Sequence, residues 1–138
     1  MIQLNGRTVL LVLGLCLTSL TAHACEPSAR VFFIEPRNGA VLFSPFRVIF
    51  GSELVQVKPA GEVDPNSGHN TLFINAGGAL PKGELIPTDD HHIHCSNAQT
   101  RTELDLPPGE YQLTLQFADG AERSHGPQMS ASIHITVN

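Results

Sequence analysis

The chain lacks the charged patches and catalytic sequence motifs by which many classes of protein function are recognised. Its 138 residues carry 8 basic and 13 acidic side chains, with a formal net charge of −5. It has no basic patch, which argues against binding to nucleic acid or to an anionic membrane surface. It also lacks a G-x-S-x-G sequence, an H-E-x-x-H sequence and a P-loop. These absences make an enzyme the least favoured class.

Helical periodicity is nearly absent, and the chain has one long apolar run. That run, Thr8 to Leu20, follows a short basic start and precedes Ala22-His23-Ala24, a small-residue cleavage signal. Its length suits a secretory signal peptide and is short for a membrane span. We therefore predict a signal peptide over residues 1–24, a periplasmic or secreted protein, and no transmembrane helix after cleavage.

Cysteine is scarce, because the predicted mature chain keeps only Cys25 and Cys95. In an oxidising compartment such a pair commonly forms a disulfide, which here would tie the new N terminus to a histidine-rich segment. Two alternatives stay open. Cys25 directly follows the cleavage signal, where a lipoprotein would carry its lipid anchor, although Ala22 stands where that signal normally has leucine. Cys95 also has the chemistry of a thiolate metal ligand.

The mature chain instead shows short β-rich runs separated by proline, glycine and asparagine. The clearest is Glu110–Ala118, in which four apolar side chains alternate on one face. The first of them, Tyr111, is placed to brace the corner of an immunoglobulin-like strand. Seven or eight such runs predict one domain, residues 25–138, folded as an antiparallel immunoglobulin-like β-sandwich. The predicted strands cover 30–35, 46–50, 54–58, 71–75, 91–95, 100–106, 110–118 and 133–137.

The chemistry that is present is histidine. One segment, Asp89-Asp90-His91-His92-Ile93-His94-Cys95, holds three of the seven histidines. On an extended strand His92 and His94 point to the same face, with Cα atoms about 7 Å apart. Neutral imidazole is the commonest ligand for zinc and copper. We predict that His92 and His94 hold a copper or zinc ion, with Asp90 as the partner that orients an imidazole.

Two loop histidines complete the predicted ligand set. His69 lies at the entrance to a predicted strand, and His125 lies in the loop between the last two strong strands. The loops of a sandwich gather at its two ends, so histidines from separate connections can meet there. The predicted metal ligands are thus His69, His92, His94 and His125. Met129 follows in the same loop and is predicted to be part of the core.

The same residues leave three functions open. The first is a non-catalytic domain that binds, delivers or buffers a transition metal. The second is an interaction module of the cell envelope that binds a protein or a glycan, in which the histidines form a hydrogen-bonded loop network. The third is a small metalloenzyme, in which a three-histidine zinc ion keeps an open coordination position.

Several short segments stand in a distinctive order along the mature chain: Pro36-Arg-Asn-Gly39, Pro59-Ala-Gly61, Asn66-Ser-Gly-His69, Ile86-Pro87, His92-Ile-His94, Gln99-Thr100, Leu106-Pro-Pro-Gly109 and Met129-Ser130. This order, over about residues 30–137, resembles a family of small exported bacterial all-β domains known only as a domain of unknown function. The resemblance implies a single exported all-β domain without an established activity, and its histidines correspond to His69, His92, His94 and His125. The family tends to show further histidines after the position of His69, and phenylalanine and glycines after that of His94, where this chain has Cys95.

Overall fold

The computed structural model describes Ala22 and residues 24–138. The predicted signal peptide therefore lies almost wholly outside the described residues and stays a prediction. No helix in the described part of the chain is long and apolar enough to cross a membrane. That part folds into one turn of 3₁₀ helix, Pro127–Met129, and nine strands: β1 (Arg30–Glu35), β2 (Ala40–Leu42), β3 (Phe46–Glu53), β4 (Gln56–Val57), β5 (Ser67–Ile74), β6 (His92–His94), β7 (Arg101–Leu104), β8 (Gly109–Ala118) and β9 (Ser130–Val137).

The strands form two sheets around an apolar core, which confirms the predicted all-β sandwich. One sheet has the order β1-β3-β7. The other has the order β2-β9-β8-β5-β4, and β6 also pairs with β5. The described residues depart from the prediction in two details: they form nine strands, and the β2–β9 and β4–β5 pairs are parallel. Strand β2 is only three residues long, too short for its alternation to be read from the sequence.

Alternation along the strands builds the core between the sheets. Val48 and Phe50 of β3 and Leu113 and Leu115 of β8 are at most 1% exposed and belong to one buried cluster. Met129 is 5% exposed and packs in the same cluster, as predicted. Because each such side chain contributes about 1.5–3 kcal/mol when it leaves water, this cluster is the main driving force for assembling the two sheets.

Strand β5 is buried along its whole length, on both faces. On one face Leu72 packs in the main core. On the other, Phe73 packs with Ile86 and Ala118 in a smaller cluster, so that the connection between β5 and β6 covers this outer face. Because side chains alternate along a strand, His69 lies on the same covered face as Phe73.

Tyr111 braces the entrance to β8. Its hydroxyl donates a hydrogen bond to the Pro107 carbonyl oxygen, at 2.7 Å. The contact spans the Pro107-Pro108-Gly109 turn and resembles the tyrosine corner predicted from the sequence.

The disulfide predicted between Cys25 and Cys95 is not formed in the structure, where both residues are free thiols. Cys25 is exposed in the segment before β1, whereas Cys95 is 2% exposed and packs in the main core. The physical reason lies in the alternation of β6. Because His94 faces outward, the next side chain turns into the core, away from the surface on which Cys25 lies. Burial raises the pKa of the Cys95 thiol to about 11, which also argues against a thiolate ligand.

Candidate metal centre

Strand register brings His69 and His94 together on the outer face of the larger sheet. In the β5–β6 pair, His94 lies opposite Thr71. Thr71 and His69 are two residues apart on β5 and share a face. The Thr71 hydroxyl lies 3.4 Å from His94 Nδ1, so the His94 imidazole lies against the face of β5 that carries Thr71 and His69. His69 is fully buried, and the side chain of His94 is 13% exposed.

A carboxylate reaches the two imidazoles from the turn that follows β8. Glu122 has φ of +61°, a left-handed conformation that costs a non-glycine residue about 1–2 kcal/mol. The Asp119 side chain supports this turn by accepting hydrogen bonds from the backbone N–H groups of Ala121 and Arg123. The Ile86 N–H donates to the Glu122 carbonyl oxygen, at 2.9 Å. The strained backbone is thus held from two sides, as is common at functional sites.

Both imidazoles contact the same oxygen of Glu122. His69 Nε2 lies 2.8 Å and His94 Nδ1 lies 2.7 Å from Glu122 Oε2. One ligand atom from each of the three side chains lies within 4.8 Å of the others. Among the described residues this is the one group of three or more histidine, cysteine or acidic side chains with that spacing.

Further hydrogen bonds orient the side chains of His94 and Glu122, whose atoms could bind a metal. His94 Nε2 lies 2.8 Å from the Pro87 carbonyl oxygen, which can only accept, so Nε2 carries a hydrogen. In the neutral ring this leaves the lone pair on Nδ1, the atom that faces Glu122. The Ser96 hydroxyl donates to the other carboxylate oxygen, Oε1, at 3.0 Å. Backbone and hydroxyl partners of this kind commonly orient histidine and carboxylate ligands in metal sites.

The electrostatics of the site favour an ionised carboxylate. Burial is the strongest single influence on Glu122 and opposes its ionisation. The hydrogen bonds from His69, His94 and Ser96 act against burial, and together they hold the pKa of Glu122 below its ordinary value. Because His94 Nε2 donates to the Pro87 carbonyl oxygen, the 2.7 Å contact of His94 Nδ1 is a hydrogen bond to Glu122 when both ring nitrogens carry hydrogen, and a metal ion could take the place of the Nδ1 hydrogen.

The three possible ligand atoms, His69 Nε2, His94 Nδ1 and Glu122 Oε2, would fit around a first-row transition metal if they moved slightly apart. Tetrahedral zinc holds nitrogen and oxygen donors at about 2.0–2.2 Å, so neighbouring donors stand about 3.3 Å apart. The two contacts to Glu122 Oε2 are 2.7 and 2.8 Å. Each would have to lengthen by about half an ångström, a change within the reach of side-chain rotation. Two imidazoles and one carboxylate form a ligand set found in catalytic zinc sites and, in a facial arrangement, in non-haem iron sites.

The family pattern described as "Domain of unknown function (DUF4399)" matches residues 48–138. The chain belongs to the DUF4399 family. No curated protein matches this DUF4399 domain. Among solved structures it is similar to the endo-beta-1,4-mannanase from Thermotoga petrophila, with 13% identity and a TM-score of 0.49. That similarity covers 86% of this chain and 21% of the mannanase chain.

His92, predicted as a primary ligand, makes different contacts in this DUF4399 domain. It shares the outer face of β6 with His94, as the alternation predicts. Its Nδ1 atom lies 2.6 Å from Asp89 Oδ1, and its ring packs edge-on against Phe73 with the ring centroids 4.6 Å apart. The partner that orients this imidazole is Asp89, one residue before Asp90, which was predicted for that role. The His92 hydrogen bond is the main reason that the pKa of Asp89 is lowered.

His125 follows the turn that carries Glu122 and makes contacts of its own. Its Nε2 atom donates to the Ser67 carbonyl oxygen, at 3.2 Å, and its ring packs against Phe117 with a centroid distance of 5.1 Å. The structure therefore brings together His69 and His94 from the predicted set and places His92 and His125 in separate hydrogen bonds.

Glu122 is the site residue that sequence reasoning missed. It stands three residues before His125 in the loop that was singled out for that histidine. A single glutamate in a polar loop carries no local pattern, because exposed loop carboxylates are common. Only the turn held by Asp119 aims this side chain at the two imidazoles.

Proposed function

We propose that this domain binds one transition-metal ion, zinc or copper(II), through His69 Nε2, His94 Nδ1 and a carboxylate oxygen of Glu122. The role we propose is binding, delivery or buffering of the ion, without chemistry on a substrate. The observation that carries the proposal is the convergence of both imidazoles on one oxygen, Glu122 Oε2, at 2.7 and 2.8 Å.

Three features support a metal over a purely structural network. The donors come from three separate elements, β5, β6 and the turn after β8, so a metal would link them. His94 Nε2 and Glu122 Oε1 already have partners that leave the other donor atom of each side chain facing the centre. The Glu122 backbone has a positive φ of +61°, which is uncommon for a residue other than glycine.

The donor set favours zinc(II) or copper(II). Imidazole suits both ions, and a carboxylate favours the divalent ions over copper(I), which prefers sulfur ligands. Sulfur is missing from this centre: Met129 and Cys95 both pack in the main core. The fourth coordination position of a tetrahedral ion would then be taken by water or by an exogenous ligand.

An exported location would suit this role. The proposed signal peptide over residues 1–24 sends the domain to the periplasm or out of the cell, where metal ions arrive from outside. We propose that the domain acts there, and the test of this part is the cellular fraction that holds the mature protein together with the mass of its N terminus.

Titration of the purified protein with Zn²⁺ and Cu²⁺ tests the metal site. At a free metal concentration 100 times Kd, binding adds about 2.7 kcal/mol to the free energy of unfolding, and the melting temperature rises. His94→Ala and Glu122→Gln should abolish or strongly reduce this gain. His92→Ala, on the same strand face and two residues away, is the matched control and should keep it.

Two results would refute the proposal. The first is an unchanged melting temperature at micromolar metal in the unsubstituted protein. The second is a metal-induced rise that Glu122→Gln retains in full, because metal would then bind elsewhere. A gain that is lost in His92→Ala and kept in His94→Ala would move the site to His92.

A further inference from the structure

Four buried side-chain atoms in the described residues have no hydrogen-bond partner. They are His69 Nδ1, Ser67 Oγ and the two polar atoms of the Asn70 carboxamide. Ser67 is 1% exposed and His69 is fully buried. Because residues two apart on a strand share a face, Ser67 and His69 lie side by side on the outer face of β5, and Asn70 faces the opposite way. The outer face thus buries two unpaired polar atoms next to the proposed metal centre.

The hydrogen-bonding need of His69 Nδ1 differs between the two states of the site. Without metal, His69 Nε2 carries a hydrogen and donates it to Glu122 Oε2, so Nδ1 has a lone pair. When Nε2 binds a metal as neutral imidazole, the hydrogen is on Nδ1, which then needs an acceptor. A partner suited to both states must donate in one and accept in the other. Hydroxyl groups can do both.

We propose that Ser67 is a positioning residue of this metal site. Its hydroxyl accepts the hydrogen of His69 Nδ1 when metal is bound, through one bridging water, and donates through the same path when it is not. This inference rests on the proposed metal function. The two side chains are attached to Cα atoms about 7 Å apart, a separation that one water between a hydroxyl and an imidazole nitrogen can span.

The backbone around Ser67 is fixed in a way that suits this role. The Ser67 N–H donates to the Asp64 carbonyl oxygen at 3.1 Å, and the Ser67 carbonyl oxygen accepts from His125 Nε2 at 3.2 Å. On the other side of His69, the nearest same-face hydroxyl is that of Thr71, which lies against His94 Nδ1. The Ser67 hydroxyl is therefore the same-face neighbour of His69 that is without a partner. His125 would contribute to the site by holding Ser67.

The tautomer of His69 gives a direct readout. Nuclear magnetic resonance of ¹⁵N-histidine-labelled protein distinguishes a protonated ring nitrogen from an unprotonated one. We expect the His69 hydrogen on Nε2 in the metal-free protein and on Nδ1 after addition of one equivalent of Zn²⁺. A change in general packing would not move this hydrogen from one nitrogen to the other.

The Ser67→Ala variant tests whether the Ser67 hydroxyl is the partner of His69 Nδ1. We expect the variant to fold and to bind Zn²⁺ about 10-fold more weakly than the unsubstituted protein, the lower end of the effect of removing a partner of a ligating histidine. Ser132→Ala, which removes a hydroxyl from β9, is the matched control and should keep the affinity. If Ser67→Ala does not fold, Ser67→Gly removes the same hydroxyl, and its Zn²⁺ affinity is compared in its place.

The outcomes separate this inference from the proposed function. Unchanged Zn²⁺ affinity in Ser67→Ala overturns the role of Ser67 and leaves the metal site intact. A His69 hydrogen that stays on Nε2 in the zinc-bound protein overturns the role of Ser67 and also removes His69 Nε2 from the proposed ligands. Absence of Zn²⁺ binding in the unsubstituted protein overturns both.

Discussion

Gly68 lies so close to β8 that a Cβ atom on it would collide with the carbonyl oxygen of Ala118. The two strands pair in antiparallel register there, with His69 opposite Ala118. The missing side chain at position 68 therefore lets β5 approach β8 directly before the buried imidazole. This close approach fixes the backbone from which His69 reaches Glu122.

Gly68→Ala should destabilise the protein strongly. The added methyl group would push apart two paired strands, and overpacking of a buried position costs about 1–3 kcal/mol, here at the upper end because the obstacle is backbone. Urea unfolding measures the loss. Gly78→Ala is the control, because a Cβ atom there meets nothing within 4 Å and the free energy of unfolding should change by less than about 0.5 kcal/mol. Equal stability of the two variants would contradict this account of the strand contact.

Glu122 should make the metal-free protein less stable in acid. Its pKa in the folded state is lowered, against an ordinary value of 4.5, with burial opposing and hydrogen bonds from the two histidines favouring ionisation. A lowered folded pKa gives a stabilising contribution that is fully present above the unfolded pKa and is lost as pH falls through the folded one.

Glu122→Gln removes that contribution, so its free energy of unfolding should fall less between pH 5 and pH 3 than that of the unsubstituted protein. Urea unfolding at several pH values, in the presence of a chelator, measures the difference. Asp90→Asn is the control, since it replaces an exposed carboxylate. A pH profile of Glu122→Gln that follows the unsubstituted protein would mean that the contacts of Glu122 contribute nothing to acid sensitivity.

Cys95 should stay unreactive in the folded protein. Burial leaves it 2% exposed and raises the pKa of its thiol to about 11, so very little thiolate exists at pH 8. Iodoacetamide should modify Cys95 only after addition of urea, as measured by peptide mass. Exposed Cys25, where its thiol is free, is the internal comparison and should react first. A mass lower by two hydrogens with no reaction at either cysteine would instead show the disulfide.

Tyr111→Phe should lower the free energy of unfolding by about 1 kcal/mol, the typical net contribution of one hydrogen bond. The change removes the hydroxyl that donates to the Pro107 carbonyl oxygen at 2.7 Å and keeps the ring. The midpoint of urea unfolding should fall with an unchanged dependence on urea concentration. An unchanged midpoint would show that water replaces the lost contact at this partly exposed corner.

Much of the fold is determined by local pattern. Strand β1 covers the residues predicted for it, because a run of β-branched and aromatic residues favours a strand. Strand β8 begins one residue earlier than predicted, and its alternating apolar side chains need a buried face. The turn at Pro107-Pro108-Gly109 and the contact of Tyr111 follow from residues close in sequence. The shared face of His92 and His94 follows from the two-residue period of a strand. The pairing of a short strand such as β2 with β9 does not follow from a local pattern, because it joins residues far apart in the chain.

For the candidate centre, the sequence by itself determined that His69 and His94 carry metal-binding chemistry and that a strand would present His94. It placed His69 in a loop, whereas β5 begins at Ser67 and includes His69. Only the tertiary structure decided which histidines meet, and it supplied Glu122 as their common partner. The physical reason is range: alternation and turn preference act over a few residues, whereas Glu122 is 28 residues from His94 and 53 from His69. Contacts over such separations are set by strand register and by the turn held by Asp119, and no local pattern encodes them.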